Sequence, residues 1–254
     1  MEPGSDNLSK WQRRYVIGGL AIALVAPLLF LQGRIARWKI GVLPEAAGPK
    51  NGVVGSGSDP ANLLVIGEST VAGLGARTHD LALAGQFAQR LSEHLKRRIQ
   101  WQVIGKNGVT ARRVIDELLP HISAHDFDYI LLGIGGNDVL TLSSPRKWRE
   151  DMIELLSLLR GRFPNAIIFI TNCPMVVMST TIPEPSRSLL WQLSRLHDEN
   201  IREFTRDLDR VCYYPQPVGV KLDGFFADGV HPSEQGYAEW AAAMVRYFIE
   251  NCKW

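Results

Sequence analysis

From residue 61 onward, apolar runs of strand length alternate with segments patterned as amphipathic helices. This alternation restricts the fold more than any other property of the chain. Residues 61–67, 99–104, 129–134, 166–171 and 211–214 read as strands; 83–98, 111–119, 146–159, 186–208 and 233–249 read as helices. In 83–98, Ala84, Phe87, Ala88, Leu91 and Leu95 share one face, and Lys96, Arg97 and Arg98 complement the negative end of the helix dipole. Strands that are apolar almost throughout need both sheet faces covered, which helices packed on a parallel sheet provide. The pattern therefore predicts a three-layer α/β/α domain around a mostly parallel, five-stranded sheet. Ligands of such sheets bind beyond the carboxyl ends of the strands, so the residues that follow each strand are the ones to inspect.

The first strand runs into "LLVIGESTVAGLG" (63–75), a glycine-flanked turn holding one hydroxyl, Ser69. Such a turn suits phosphate cradling, dinucleotide binding or serine nucleophilic catalysis. A phosphate loop of the G-x-x-x-x-G-K-[ST] kind needs a lysine, and none stands near Gly73. The dinucleotide fingerprint needs G-x-G-x-x-G, and Gly67, Gly73 and Gly75 have the wrong spacing. A serine nucleophile needs a base, an acid to orient it and donors for an oxyanion. All stand after strands or before the last helix. "GKNG" carries Gly108, whose bare backbone N–H can donate; "GGND" carries Asn137; "FFADGVHPSEQGY" places Asp228 three residues before His231. A close Asp–His pair lets the carboxylate hold the imidazole while the other ring nitrogen faces the serine. Position 71 is Val, so Ser69 is not in a G-x-S-x-G elbow.

Together "GESTVAG", "NGVT", "GGND" and "DGVH" resemble the four blocks of the GDSL-type, or SGNH, serine hydrolases, and the resemblance covers nearly all of 61–254. It implies a flavodoxin-like α/β sheet and a carboxylic ester hydrolase without cofactor or metal. It further implies Ser69 as nucleophile, His231 as base and Asp228 as its orienting acid. The oxyanion donors it implies are the N–H groups of Ser69 and Gly108 and the side chain of Asn137. Glu68 departs from the family's aspartate by one methylene. Lysophospholipids, short-chain acyl esters and acyl glycans are the substrate classes; a carbohydrate O-acetylesterase and a silent acyl- or glycan-binding module are the alternatives. "PMVVMSTTIP" (174–183) and Phe225–Phe226 would put apolar bulk near the serine, which favours an acyl chain.

The N-terminal sixty residues differ in kind. "YVIGGLAIALVAPLLFL" (15–31) carries no charge and is flanked by Lys10, Arg13 and Arg14 before it and by Arg34, Arg37 and Lys39 after it. At seventeen residues it just reaches the length of a membrane span, and its exit lacks a small-x-small cleavage site. The expected organisation is a tail at 1–14, an uncleaved membrane anchor at 15–33, a Pro/Gly/Ser-rich linker at 34–60 and the hydrolase domain at 61–254. With three basic residues on either flank, charge votes weakly on orientation, and the short tail favours the domain outside. Seven of the 28 Lys and Arg fall in residues 1–50 with three of the 26 acids, leaving 21 bases against 23 acids beyond. The domain is thus slightly acidic, which argues against a nucleic-acid partner. Cys173, Cys212 and Cys252 are odd in number and far apart, excluding a disulfide framework. His121 and His125, near Asp126 and Asp128, read as a loop beyond Pro120 rather than a zinc site, which wants a fuller ligand set.

Overall fold

The computed structural model describes residues 5–23, 27, 31–33, 43–123, 126–217 and 223–252. In chain order its elements are α1 (Ser5–Ala23), β1 (Asn51–Val54), β2 (Ala61–Gly67), α2 (Leu83–Leu95) and β3 (Ile99–Gly105). They continue through the helical segment 111–121, which we call α3, β4 (Tyr129–Gly133), α4 (Gly136–Leu140), α5 (Pro145–Arg162) and β5 (Ile167–Ile170). A 3-10 turn (Val176–Met178), α6 (Ser186–Thr205), β6 (Val211–Tyr213) and α7 (Glu234–Asn251) complete it.

The sheet order is β1-β3-β2-β4-β5-β6, parallel except for β1, which pairs antiparallel with β3. Without β1, the order is the flavodoxin-like 2-1-3-4-5 arrangement. Successive side chains of a strand point to opposite faces, so each apolar run feeds both cores. Leu63, Val65, Leu131 and Phe169 pack with Phe87 of α2 and Phe248 of α7. Leu64, Ile66, Leu132 and Ile168 pack with Val114 of α3 and Trp148, Met152 and Leu155 of α5. On the first face Phe169 stacks on Phe248 at 4.6 Å between ring centroids.

Two expectations need correction. The sheet has six strands, not five, because β1 adds an edge strand inside the segment expected to be linker. Its four residues NGVV pair with residues 99–102, and carry too short a pattern to register against their Gly- and Ser-rich surroundings. α3 ends in irregular turns: three α-helical residues pass into a π turn and then a 3-10 turn around Pro120. The anchor expected at 15–33 lies only partly within the described residues. No helix among the described residues is long and apolar enough to cross a membrane. α1 starts at Ser5, ten residues ahead of the expected span, because Leu8, Trp11 and Tyr15 recur at helical spacing and face the domain. Trp11 is buried with the Arg149 guanidinium 5.8 Å from its ring, Arg146 N–H donates to Gln12, and Tyr15 donates to the Leu142 carbonyl. Residues 24–26 and 28–30 of the expected span, and 34–42 of the expected linker, lie outside the described residues.

Candidate active site

The four sequence blocks meet at the carboxyl edge of the sheet, where β2 lies between β3 and β4. Gly67, the last residue of β2, packs so closely on β4 that a Cβ would sit 1.9 Å from the Gly133 carbonyl, and its φ is +153°. The chain then turns tightly, with Val71 and Ala72 N–H groups both donating to the Glu68 carbonyl. This turn leaves Ser69 just past the strand end, 9% exposed. Gly75 brings the same turn against the loop that carries His231: a Cβ there would fall 2.2 Å from the Pro232 carbonyl. The Tyr237 hydroxyl of α7 donates to the Leu74 carbonyl and fixes that approach.

The Asp228–His231 loop is built from its own short-range bonds. The N–H groups of Val230 and His231 both donate to Asp228 Oδ1, an Asx-type turn that sets the loop's shape. Asp228 Oδ2 then accepts from His231 Nδ1 at 2.8 Å. That bond puts the proton on Nδ1 and leaves Nε2 facing Ser69 Oγ at 3.2 Å. Thr181, beyond β5, donates to the Asp228 carbonyl and braces the loop from the other side. Burial alone would raise the Asp228 carboxyl, but the bonds from His231 and Val230 outweigh it and hold it below the ordinary aspartate value. A carboxylate that stays ionised, an imidazole held in one tautomer and a hydroxyl within reach can move a proton from serine to histidine.

Asn137 lies in the first turn of α4, directly after β4. Its side-chain Nδ2 donates to Glu68 Oε2 at 2.6 Å, which leaves one amide hydrogen for a further acceptor. Gly108 follows β3 at φ +81°, in open space, with its carbonyl held by Arg113. Two acids, Glu68 and Asp138, stood in the quoted blocks without an assigned role. Glu68 accepts three N–H bonds from Gly136 and Asn137. Burial pushes its carboxyl up while those bonds pull it back. Asp138 is fully buried and accepts from the Ala111 N–H, and burial with the nearby Glu68 pushes its carboxyl up to about 7. Their partners lie 27 and 69 residues away in sequence, so no local pattern announced them.

Beside the serine turn opens a cavity of about 200 Å³. Glu68 and Thr70 flank it at the Ser69 end, and Met175, Val176, Ile182, Phe225, Phe226 and Trp240 supply much of its apolar wall. The segments 174–183 and 225–226 thus lie where the sequence placed apolar bulk. His121 ends the 3-10 turn of α3, exposed, and His125 lies outside the described residues. Among the described residues no group of three His, Cys, Asp or Glu could hold a metal. The three cysteines are free.

The chain matches the model of the GDSL-like lipase/acylhydrolase family over residues 65–239. It is 25% identical over 190 residues to a GDSL-like esterase of Mycobacterium tuberculosis, an alignment that covers 70% of this chain and 58% of that one. Among solved structures, a lipase from a goat rumen metagenome is similar with a TM-score of 0.59 and 15% identity, covering 73% of this chain and 96% of that one. The family 3 carbohydrate esterase of Clostridium thermocellum is similar with a TM-score of 0.57 and 18% identity, covering 76% and 96%. At these identities the structures speak for the fold, and it is the match over residues 65–239, spanning all four blocks, that places the chain in the GDSL-like lipase/acylhydrolase family.

Proposed function

We propose that the protein hydrolyses carboxylic esters through an acyl-enzyme on Ser69. The observation that carries this reading is the line of contacts from Ser69 Oγ through the His231 ring to Asp228, 3.2 Å and 2.8 Å long. Ser69 Oγ attacks the ester carbonyl while its proton passes to His231 Nε2, forming a tetrahedral oxyanion. The N–H groups of Ser69 and Gly108 and the Asn137 amide are the donors for that oxygen. Collapse breaks the bond to the alcohol, which leaves with the proton from His231. Water, deprotonated by the same imidazole, then attacks the acyl-enzyme and releases the acid. Asp228 stays ionised throughout and stabilises the imidazolium.

The wall of the cavity favours an apolar acyl chain over an acetyl group. A dry cavity of about 150 Å³ accepts a six-carbon ring, so this one has room for roughly eight carbons. Each methylene buried there contributes about 0.8 kcal/mol, or roughly fourfold in kcat/KM. With p-nitrophenyl esters, kcat/KM should climb from acetyl to about octanoyl and then fall. A rate greatest for acetyl would instead favour the carbohydrate O-acetylesterase reading. Failure of a fluorophosphonate to label Ser69, with no ester turned over, would leave a silent binding module.

A membrane surface is the proposed location. α1 turns Val16, Ile17 and Leu20 outward, Leu20 71% exposed, beyond a first half carrying Lys10, Arg13 and Arg14. Apolar residues that follow basic ones along the exposed side of one helix suit an interface with anionic lipid. The Tyr15 bond to Leu142 brings this helix close to the segment that carries Asn137.

A further inference from the structure

The geometry points to Glu68 as a positioning residue that holds Asn137 in the orientation an oxyanion donor needs, an inference that rests on the ester hydrolysis proposed above. Glu68 stands between the last residue of β2 and the nucleophile, and only 7% of it is exposed. Its carboxylate crosses from the β2 turn to the start of α4. Oε1 accepts from the Gly136 N–H at 2.8 Å. Oε2 accepts both from the Asn137 N–H at 2.8 Å and from Asn137 Nδ2 at 2.6 Å. One oxygen thus grips the backbone and the side chain of the same residue. A carboxylate can only accept, so it admits one of the two orientations of the Asn137 amide, nitrogen toward Glu68. The bond uses one Nδ2 hydrogen, and the other remains for a developing oxyanion.

The neighbouring glycine belongs to the same device. A Cβ on Gly136 would lie 2.7 Å from Glu68 Oε1 and 3.3 Å from both Cδ and Oε2. The second glycine of "GGND" therefore leaves room for this particular acid. Shortening Glu68 to aspartate would withdraw the carboxylate by about 1.5 Å. Contacts of 2.6–2.8 Å would then exceed hydrogen-bond length unless the two turns closed on each other. A glutamine would turn a donor toward one of these N–H groups and lose the charge-assisted bond.

If Glu68 acts through Asn137, its effect must vanish once the Asn137 amide is gone. The test is a cycle of Glu68→Gln and Asn137→Ala, read as steady-state turnover of a p-nitrophenyl ester by the full chain. Losing one oxyanion donor costs about 10²–10³ in kcat, and mispositioning it should cost part of that, roughly tenfold to a hundredfold. Glu68→Gln should give that fall in kcat with KM changed by less than about threefold. On the Asn137→Ala background it should cost less than about twofold more. Gly136→Ala, which presses on the same carboxylate by a different route, should behave alike and serves if Glu68→Gln does not fold. Equal factors in both backgrounds, or full turnover by Glu68→Gln, would overturn the inference. Failure of the underlying reading looks different, because Ser69→Ala and Asn137→Ala would then themselves keep full turnover.

Discussion

His197 offers a measurement of stability against pH whose size follows from the structure. It lies in α6, fully buried, its ring stacked on Trp148 of α5 at 5.1 Å. Nε2 donates to the Ser143 carbonyl at 3.0 Å, while Nδ1 is buried with no partner among the described residues. A second proton would therefore sit on an N–H with nothing to accept it, in a site without water-like solvation. Desolvation lowers the imidazole from 6.5 to about 4. The unfolded chain takes up this proton below about pH 6.5 and the native chain only below about 4, so stability falls as pH drops through that window. Between pH 7 and pH 5 the loss is about 2 kcal/mol, from 1.36 kcal/mol per unit of pKa difference. Asp138, whose raised carboxyl takes up a proton in the native state near pH 7, pulls the opposite way. A variant is needed to separate the two. His197→Phe keeps a ring on Trp148 but strips the Ser143 carbonyl of its donor, so it should be about 1–3 kcal/mol less stable at pH 7. Urea melts of both proteins at pH 7 and pH 5 should show that gap shrinking by about 2 kcal/mol at the lower pH. A gap of constant size, or a His197 imidazole titrating near 6.5 by NMR, would refute the reasoning.

Asn137→Ala should lower kcat about 10²–10³-fold while KM stays near that of the parent, and unchanged turnover would reduce "GGND" to a turn. Ser69→Ala and His231→Ala should each remove nearly all ester turnover, and the double variant should be no worse than the weaker single one. Independent multiplying losses would break the proposed unit. Replacing Ile17 and Leu20 together by Asp should release the protein from vesicles containing phosphatidylglycerol while ester turnover in solution persists. Undiminished sedimentation with those vesicles would remove α1 from the membrane contact.

The sequence determined the sheet and most of its connections. Runs such as Leu63–Ile66 and Ile130–Leu132 are apolar at every position, and only strands covered on both faces bury such runs completely. It also singled out Ser69, Asn137, Asp228 and His231 as candidates, because each belongs to a short block next to a strand end. Asp228 and His231 are close enough in the chain to build their own turn. Tertiary structure decided what depends on partners far away in the chain. β1 is a strand only because β3 offers it an edge, and NGVV alone has no periodicity to show it. Where α1 begins was decided by a seat for Trp11 beneath Arg149, not by the apolar run that follows. Glu68 reads in sequence as an acid beside a serine. Its grip on Asn137, 69 residues away, exists because parallel pairing of β2 with β4 brings the two strand ends side by side. Local patterns carry the period of a strand and the bonds of a turn, whereas a bond between two turns exists only once the sheet has set their distance.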